Sequence, residues 1–230
     1  MNKELMSVLN KLSSITDKVV IKYPITTMND PMGTIMANIN CQDLGCSEFQ
    51  DMPVYELNKL ISILNMFNDY ELNQEGEKLT IKSSNTTAVF TLADVELMEE
   101  YNKPSSIIEK SEKYPVVAEI DYTADELASV KKALSIFNEL NAVAFVGKNG
   151  DFYVETSNHN KFNHSSNNYK KEFLGASTKD FQVKINNINF NALPNGDYKL
   201  KIVYNEERNA YRVLFISDKF KVLIAPLADE

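Results

Sequence analysis

One pattern recurs along this 230-residue chain: a short amphipathic helix, then two or three alternating strands joined by tight turns. Such repetition constrains the fold more than any single residue does, because a unit this small cannot bury its apolar face alone and must pack on its copies. The first helix runs over about Lys3 to Ile15, with Leu5, Val8, Leu9, Leu12 and Ile15 on one face at helical spacing. Strands follow near Val19 to Tyr23, Thr34 to Asn40 and Ser47 to Asp51. The second helix covers about Tyr55 to Phe67 and turns Leu57, Leu60, Ile61, Leu64 and Phe67 inward. Tyr70 to Asn73, a turn at Glu75-Gly76, Lys78 to Lys82 and Thr87 to Leu92 complete the first half.

Residues 94 to 115 interrupt the scheme. Acidic Asp94, Glu96, Glu99 and Glu100 are followed by Pro104-Ser105-Ser106 and Tyr114-Pro115, the punctuation of a linker. The pattern then restarts with a strand at Val116 to Ile120. Thr123 caps a third helix, with Glu126 placed to complete a capping box, and Leu127, Val130, Leu134 and Phe137 face inward. Ala142 to Val146 and Phe152 to Glu155 flank Asn149-Gly150, a strong hairpin signal. Tyr169 to Leu174 and Phe181 to Lys184 come next. A short fourth helix, about Asn186 to Leu193, stops at Pro194-Asn195-Gly196, and Tyr198 to Tyr204, Tyr211 to Ile216 and Phe220 to Ile224 close the chain.

Four helix-plus-strands units in two halves predict an α+β fold of two similar domains, each with two helices packed on antiparallel sheets. The boundaries read as 1–100 for the first domain, 101–114 for the linker and 115–230 for the second. Composition agrees with a soluble globular protein, at 43% hydrophobic and 24% charged residues. No window reaches the ~18 apolar residues of a membrane span, and the N-terminus lacks the apolar run and cleavage site of a signal peptide. A cytoplasmic location is expected, and the Asn-x-Thr and Asn-x-Ser at Asn85 and Asn163 then carry no meaning.

Metal and enzyme chemistry find little support. Cys41 and Cys46 have no second ligand pair at zinc spacing, and His159 and His164 share one polar stretch that reads as an exposed loop. There is no phosphate-cradling glycine loop and no nucleophile elbow, and the paired Glu99 and Glu100 lie in the linker, away from any pocket that could tune them. No cofactor or metal is expected, and no enzymatic activity.

Two stretches narrow the reading further. Val54-Tyr55-Glu56-Leu57-Asn58-Lys59-Leu60-Ile61-Ser62-Ile63-Leu64 with Asn68-Asp69 resembles the second helix of the DNA sliding clamps of T-even-type bacteriophages. Asn189-Phe190-Asn191-Ala192-Leu193-Pro194-Asn195-Gly196-Asp197-Tyr198-Lys199-Leu200 resembles their fourth helix and the strand after it. The C-terminal Leu223-Ile224-Ala225-Pro226-Leu227-Ala228-Asp229-Glu230 is similar to the tail of the eukaryotic and archaeal clamps. In layout the resemblance covers the whole chain; in letters it covers these segments.

The resemblance implies the DNA clamp fold assembled into a homotrimeric ring. Helices would line the hole and sheets would lie outside, around double-stranded DNA held without sequence preference. An ATP-dependent clamp loader would close it, and the DNA polymerase would ride on it. Subunits would join edge to edge, Thr87 to Leu92 of one against Tyr169 to Leu174 of the next. The net charge of −8 argues against a general nucleic-acid coat, but a protein that holds DNA by topology must slide and needs only a modest local surplus of lysine.

Candidate DNA-facing residues on the outer helix faces are Lys3, Asn10, Lys11, Asn58, Lys59, Ser62, Lys131, Lys132, Asn186, Asn187 and Asn189, amides and flexible ammoniums suited to shifting phosphate contact. The same residues also suit a plain solvated helix face. The two arginines, Arg208 and Arg212, lie in a late hairpin, which fits a protein that does not read bases. The family's partner-peptide groove would map to Met28, to Ile107 and Ile108 on the linker, and to Ile224, Ala225, Pro226 and Leu227 at the tail. Equally, the two isoleucines could pin the linker to its own domain. Rival readings are a structural or adaptor protein of a virus particle and a single-strand binder. The first leaves four helices with polar outer faces unexplained, and the second lacks exposed aromatics on a basic groove.

Overall fold

Apolar spacing at the N-terminus closes α1, Lys3–Leu12, whose buried face is Leu5, Met6, Val8, Leu9 and Leu12. The computed structural model describes residues 3–137, 139–158 and 170–228; the side chains of Lys3 and of residues 170–174 lie outside that description. His159, His164, Asn163 and Tyr169 fall outside the described residues. The chain divides into unit 1, Met1–Ile107, and unit 2, Ile108–Glu230.

After α1, unit 1 continues with β1 (Val19–Ile21), β2 (Ile25–Asn29), β3 (Ile35–Asn40), β4 (Met52–Val54), α2 (Leu57–Leu64), β5 (Glu71–Glu75), β6 (Lys78–Lys82) and β7 (Thr87–Thr91). β1, β2 and β3 form an antiparallel meander, and β4 returns to pair with β1, Val19 opposite Val54 and Ile21 opposite Met52. β5, β6 and β7 form a second, three-stranded meander. A 3-10 turn follows at Val95–Tyr101, then α3 at Ser106–Ser111.

Unit 2 runs β8 (Val116–Tyr122), α4 (Ala124–Ile136), β9 (Ala142–Lys148), β10 (Asp151–Ser157), β11 (Lys170–Ala176), β12 (Phe181–Asn186), α5 (Asn187–Asn191), β13 (Tyr198–Asn205), β14 (Ala210–Ile216) and β15 (Phe220–Ile224). One antiparallel sheet is ordered β8-β13-β14-β15 and the other β11-β10-β9-β12. The β9–β10 turn has positive φ at Asn149 (55°) and Gly150 (86°), the mirror-image turn that matches strand twist. At Gly175 the end of β11 crosses so close to β8 that a Cβ there would run into Ile120.

The repeat is therefore strand–helix–three strands, and each leading strand completes the sheet of the neighbouring repeat. β4 precedes α2 but pairs with β1; β8 precedes α4 but pairs with β13; β12 precedes α5 but pairs with β9. Among the described residues no strand precedes α1, and β5–β6–β7 has no fourth member.

Several expectations need correction. The helix expected to reach Ile15 ends at Leu12, and Phe137 is the half-buried C-cap of α4. The strand expected at Ser47 to Asp51 lies instead at Met52–Val54, and β2 was not anticipated. The stretch read as a plain linker holds two helical turns fixed by named bonds. Asp94 accepts from the Glu96 amide at 2.9 Å, and Met98 is fully buried. Asn29 and Asn38, both buried, donate to the carbonyls of Glu100 (3.0 Å) and Ser105 (2.9 Å). In unit 2, Lys221 bonds Glu112 at 2.8 Å, and the Tyr204 amide donates to the Pro115 carbonyl at 3.0 Å.

Candidate nucleic-acid interface

The orientation of each helix is set at its N-terminus, where unpaired amides need acceptors. Glu56 makes no side-chain cap on α2. Asp17, from the loop after α1, serves instead: its Oδ1 accepts from the Asn58 amide at 2.6 Å and from Asn58 Nδ2 at 2.8 Å. α4 carries the expected capping box between Thr123 and Glu126, and Asp197, just before β13, adds a bond from the Ala124 amide at 2.7 Å. Both aspartates are acceptors that helical periodicity cannot reveal, since they sit far along the chain from the helix they cap.

The outer faces of α1 and α2 are polar and nearly neutral, and those of α4 and α5 mix polar with apolar residues. Asn10 and Lys11 are exposed on α1 beside Glu4; Asn58, Lys59 and Ser62 are exposed on α2; Lys132 is exposed on α4 beside Asp125. Lys59 is held by Glu56 at 2.9 Å. Three candidates are tied to distant parts of the fold. Asn58 is tied to Asp17. Lys131, half-buried, donates to the Leu193 carbonyl at 2.5 Å, at the end of α5. Asn187 donates through its side chain to the Leu140 carbonyl at 3.1 Å and through its amide to the Asn141 carbonyl at 3.0 Å. Asn186 caps α5 by accepting from the Ile188 amide at 2.8 Å, and Asn189 is half-buried. Exposed Ile136 and Ile188, at 62% and 64%, also lie on these unit 2 helices, which sequence reasoning did not single out.

The expected groove residues divide by burial. Met28, Ile108 and Ile224 are fully buried, so they have no accessible side chain to offer a peptide. Ile107 is 36% exposed, and Ala225, Pro226 and Leu227 are half-buried. The tail is pinned within unit 2, where the Leu227 amide donates to the Lys184 carbonyl of β12 at 2.7 Å.

The strands expected to stay open are terminal strands of their sheets. β7 pairs with β6, and β11 pairs with β10, each on one side among the described residues. Val89 on β7 is 58% exposed. No cluster of three or more metal-ligating side chains occurs among the described residues, and no described helix is long and apolar enough to cross a membrane.

Comparison with solved structures places this architecture. A. fulgidus PCNA, bound to the C-terminal region of FEN-1, superposes with a TM-score of 0.66 at 14% identity, covering 100% of this chain and 98% of that one. Entamoeba histolytica Proliferating Cellular Nuclear Antigen gives 0.66 at 17% identity over 98% of this chain and 95% of that one. The chain has the DNA clamp fold. The clamp fold also appears in the Helicobacter pylori beta clamp bound to a DNA ligase peptide, with a TM-score of 0.66 at 14% identity over 97% of this chain; this chain spans 63% of that longer one. No protein-family model and no curated relative matches the sequence.

Proposed function

We propose that this protein is a DNA polymerase sliding clamp of the T-even bacteriophage type. It is a non-enzymatic processivity factor that encircles duplex DNA as a homotrimeric ring and tethers the replicative polymerase. The observation that carries the reading is a four-repeat clamp fold matched along the full length of PCNA. Near-complete coverage of the PCNA chain, against 63% of the beta clamp chain, favours the two-domain subunit of a trimer. Open β7, with exposed Val89, and open β11 suit edge-to-edge joining in a closed ring.

DNA then passes the helix faces, where Asn10, Lys11, Lys59 and Lys132 are exposed. Weak, mobile ammonium contacts permit sliding, while the overall charge of −8 repels stray DNA. Partner peptides, the polymerase's among them, dock at the tail of unit 2, where Ala225, Pro226 and Leu227 keep apolar surface; an ATP-dependent loader opens and closes the ring.

Sedimentation across a concentration series tests the assembly. A species of about 78 kDa, three times the 26.1 kDa chain, is expected, and a monomer at every concentration would remove the ring. The trimer should stay on circular DNA and slide off after the circle is cut. Changing Lys11, Lys59 and Lys132 together to Ala should lower processivity without unfolding the protein. Changing Pro226 and Leu227 to Ser should abolish polymerase stimulation with the ring intact.

A further inference from the structure

Unit 1 contains a sheet edge that the rest of the molecule shows how to fill. The meanders that begin with β1, β9 and β13 each receive a leading strand, β4, β12 and β8 respectively, on their first strand. The meander that begins with β5 receives none among the described residues. Alternate N–H and C=O groups of a strand point away from its one neighbour, and among the described residues no backbone–backbone bond from outside the sheet reaches residues 71–75. Leu72 on β5 is half-buried, whereas Val143 and Phe145 on β9, which β12 covers, are fully buried.

Space and chemistry lie beside this edge. A groove of ≈ 380 Å³ runs between β5 and the Ser47–Gln50 loop, with Phe49, Tyr70 and Leu72 as its apolar wall and Glu48, Gln50 and Gln74 lining it as well; Gln74 Nε2 donates to the Asp51 carbonyl at 3.1 Å. Past Tyr70, which borders both, a second hollow of ≈ 290 Å³ is walled by Met6, Ile61, Leu64 and Phe67. The opposite face of β5 exposes Glu71, Asn73 and Glu75. Their neighbours on β6 are Lys82, Thr80 and Lys78, but neither glutamate makes an ion pair among the described residues.

We propose that the β5 edge is a docking site for an extended segment of a partner protein, added antiparallel as the sheet's fourth strand. Its apolar residues, at every second position, enter the groove, and basic residues between them face Glu71 and Glu75. β12 shows the pattern from within the molecule: Phe181, Val183 and Ile185 are buried, while Gln182 is exposed and Lys184 half-buried. Main-chain bonds give such a strand its affinity, and alternate side chains give it selectivity. The site uses unit 1 alone and is separate from β7, so it stands whether or not the ring forms.

The test titrates the ¹⁵N-labelled full chain with a synthetic octapeptide alternating lysine and valine. Controls are the same composition with a central proline and a version with glutamate for lysine. Shift changes and slowed amide exchange confined to β5 and the groove are expected, with no binding by either control. The double variant E71K/E75K, both positions being exposed, should weaken binding by about tenfold. Equal binding of the proline peptide, perturbation centred elsewhere, or no response at millimolar peptide would overturn the site.

Discussion

From their first long helix onward, units 1 and 2 thread helices and strands in the same order, yet their interiors are built from different residues. In unit 2 Phe215 is a hub: Tyr122, Phe145, Phe190 and Tyr198 all lie with ring centroids 5.7–6.2 Å from it, mostly edge-on. Unit 1 buries Leu, Ile, Val and Met, with Phe90 its one buried aromatic ring among the described residues. Its central strand β2 is polar, with Thr26, Thr27 and Asn29 buried and each hydrogen-bonded. The same topology tolerates an aromatic cluster and a polar seam because the repeat specifies spacing and register, while residue identity decides how tightly each copy is held.

The largest test of that contrast is the hub. Phe215→Ala should cost about 3–5 kcal/mol, since it removes a ring against which four others pack. Phe90→Ala, on a sheet edge, should fall at or below the low end of that range. Urea unfolding of both variants decides it, and equal losses would dissolve the distinction. Next in size is the polar seam. Asn38 donates to the Ser105 carbonyl and accepts from Thr27 Oγ1 at 3.0 Å. Asn38→Leu leaves both partners unpaired and should cost about 1–3 kcal/mol, with faster amide exchange around residues 100–105. An unchanged exchange pattern there would mean that the seam does not hold the turn.

These differences explain what could be read from sequence. α1, α2 and α4 were legible because apolar residues at 3.6-residue spacing report a buried face directly, and the β9–β10 hairpin because Asn149-Gly150 suits its turn. β2 was not, because Ile-Thr-Thr-Met-Asn shows neither alternation nor an apolar run. At the candidate DNA surface, a helical wheel gives the outward side but not the bonds across the fold. Asn58, Lys131 and Asn187 find partners 41, 62 and 47 residues away, and no local pattern announces them.

The helix caps sharpen the comparison at smaller scale. Asp17 makes two bonds to a helix with no cap of its own, whereas Asp197 adds one to a helix that already has a capping box. Asp17→Ala should therefore cost about 1–2 kcal/mol and Asp197→Ala about half that, read from thermal unfolding at neutral pH. The reverse order would mean that the local box contributes little and the distant aspartate holds α4.

The smallest expected difference is electrostatic. In unit 2, Glu119 on β8 lies 2.9 Å from Lys201 and 3.4 Å from Lys199 on β13; in unit 1 the ion pair that joins the neighbouring ends of β1 and β4, Lys22 to Asp51, is longer at 3.6 Å. The hydrogen bond from Lys201, the largest effect, holds the Glu119 carboxyl below its ordinary range against desolvation, and Lys199 adds a smaller contribution in the same direction as Lys201. A carboxylate depressed in the folded state contributes stability that is fully present above its unfolded pKa and is lost as pH falls through the folded value. Because the Glu119 side chain is 38% exposed, solvent screens the pair, and Glu119→Gln should cost about a few tenths of a kcal/mol at pH 7. The gap between wild type and variant should close on the acid side of the carboxylate range, and also in high salt. Asp51→Asn should change stability less than Glu119→Gln at pH 7, since its single contact is longer and more exposed. Parallel denaturation curves at acidic and neutral pH separate the outcomes: a Glu119 gap that persists in acid would mean that the side chain acts through packing across β8 and β13, not through its charge.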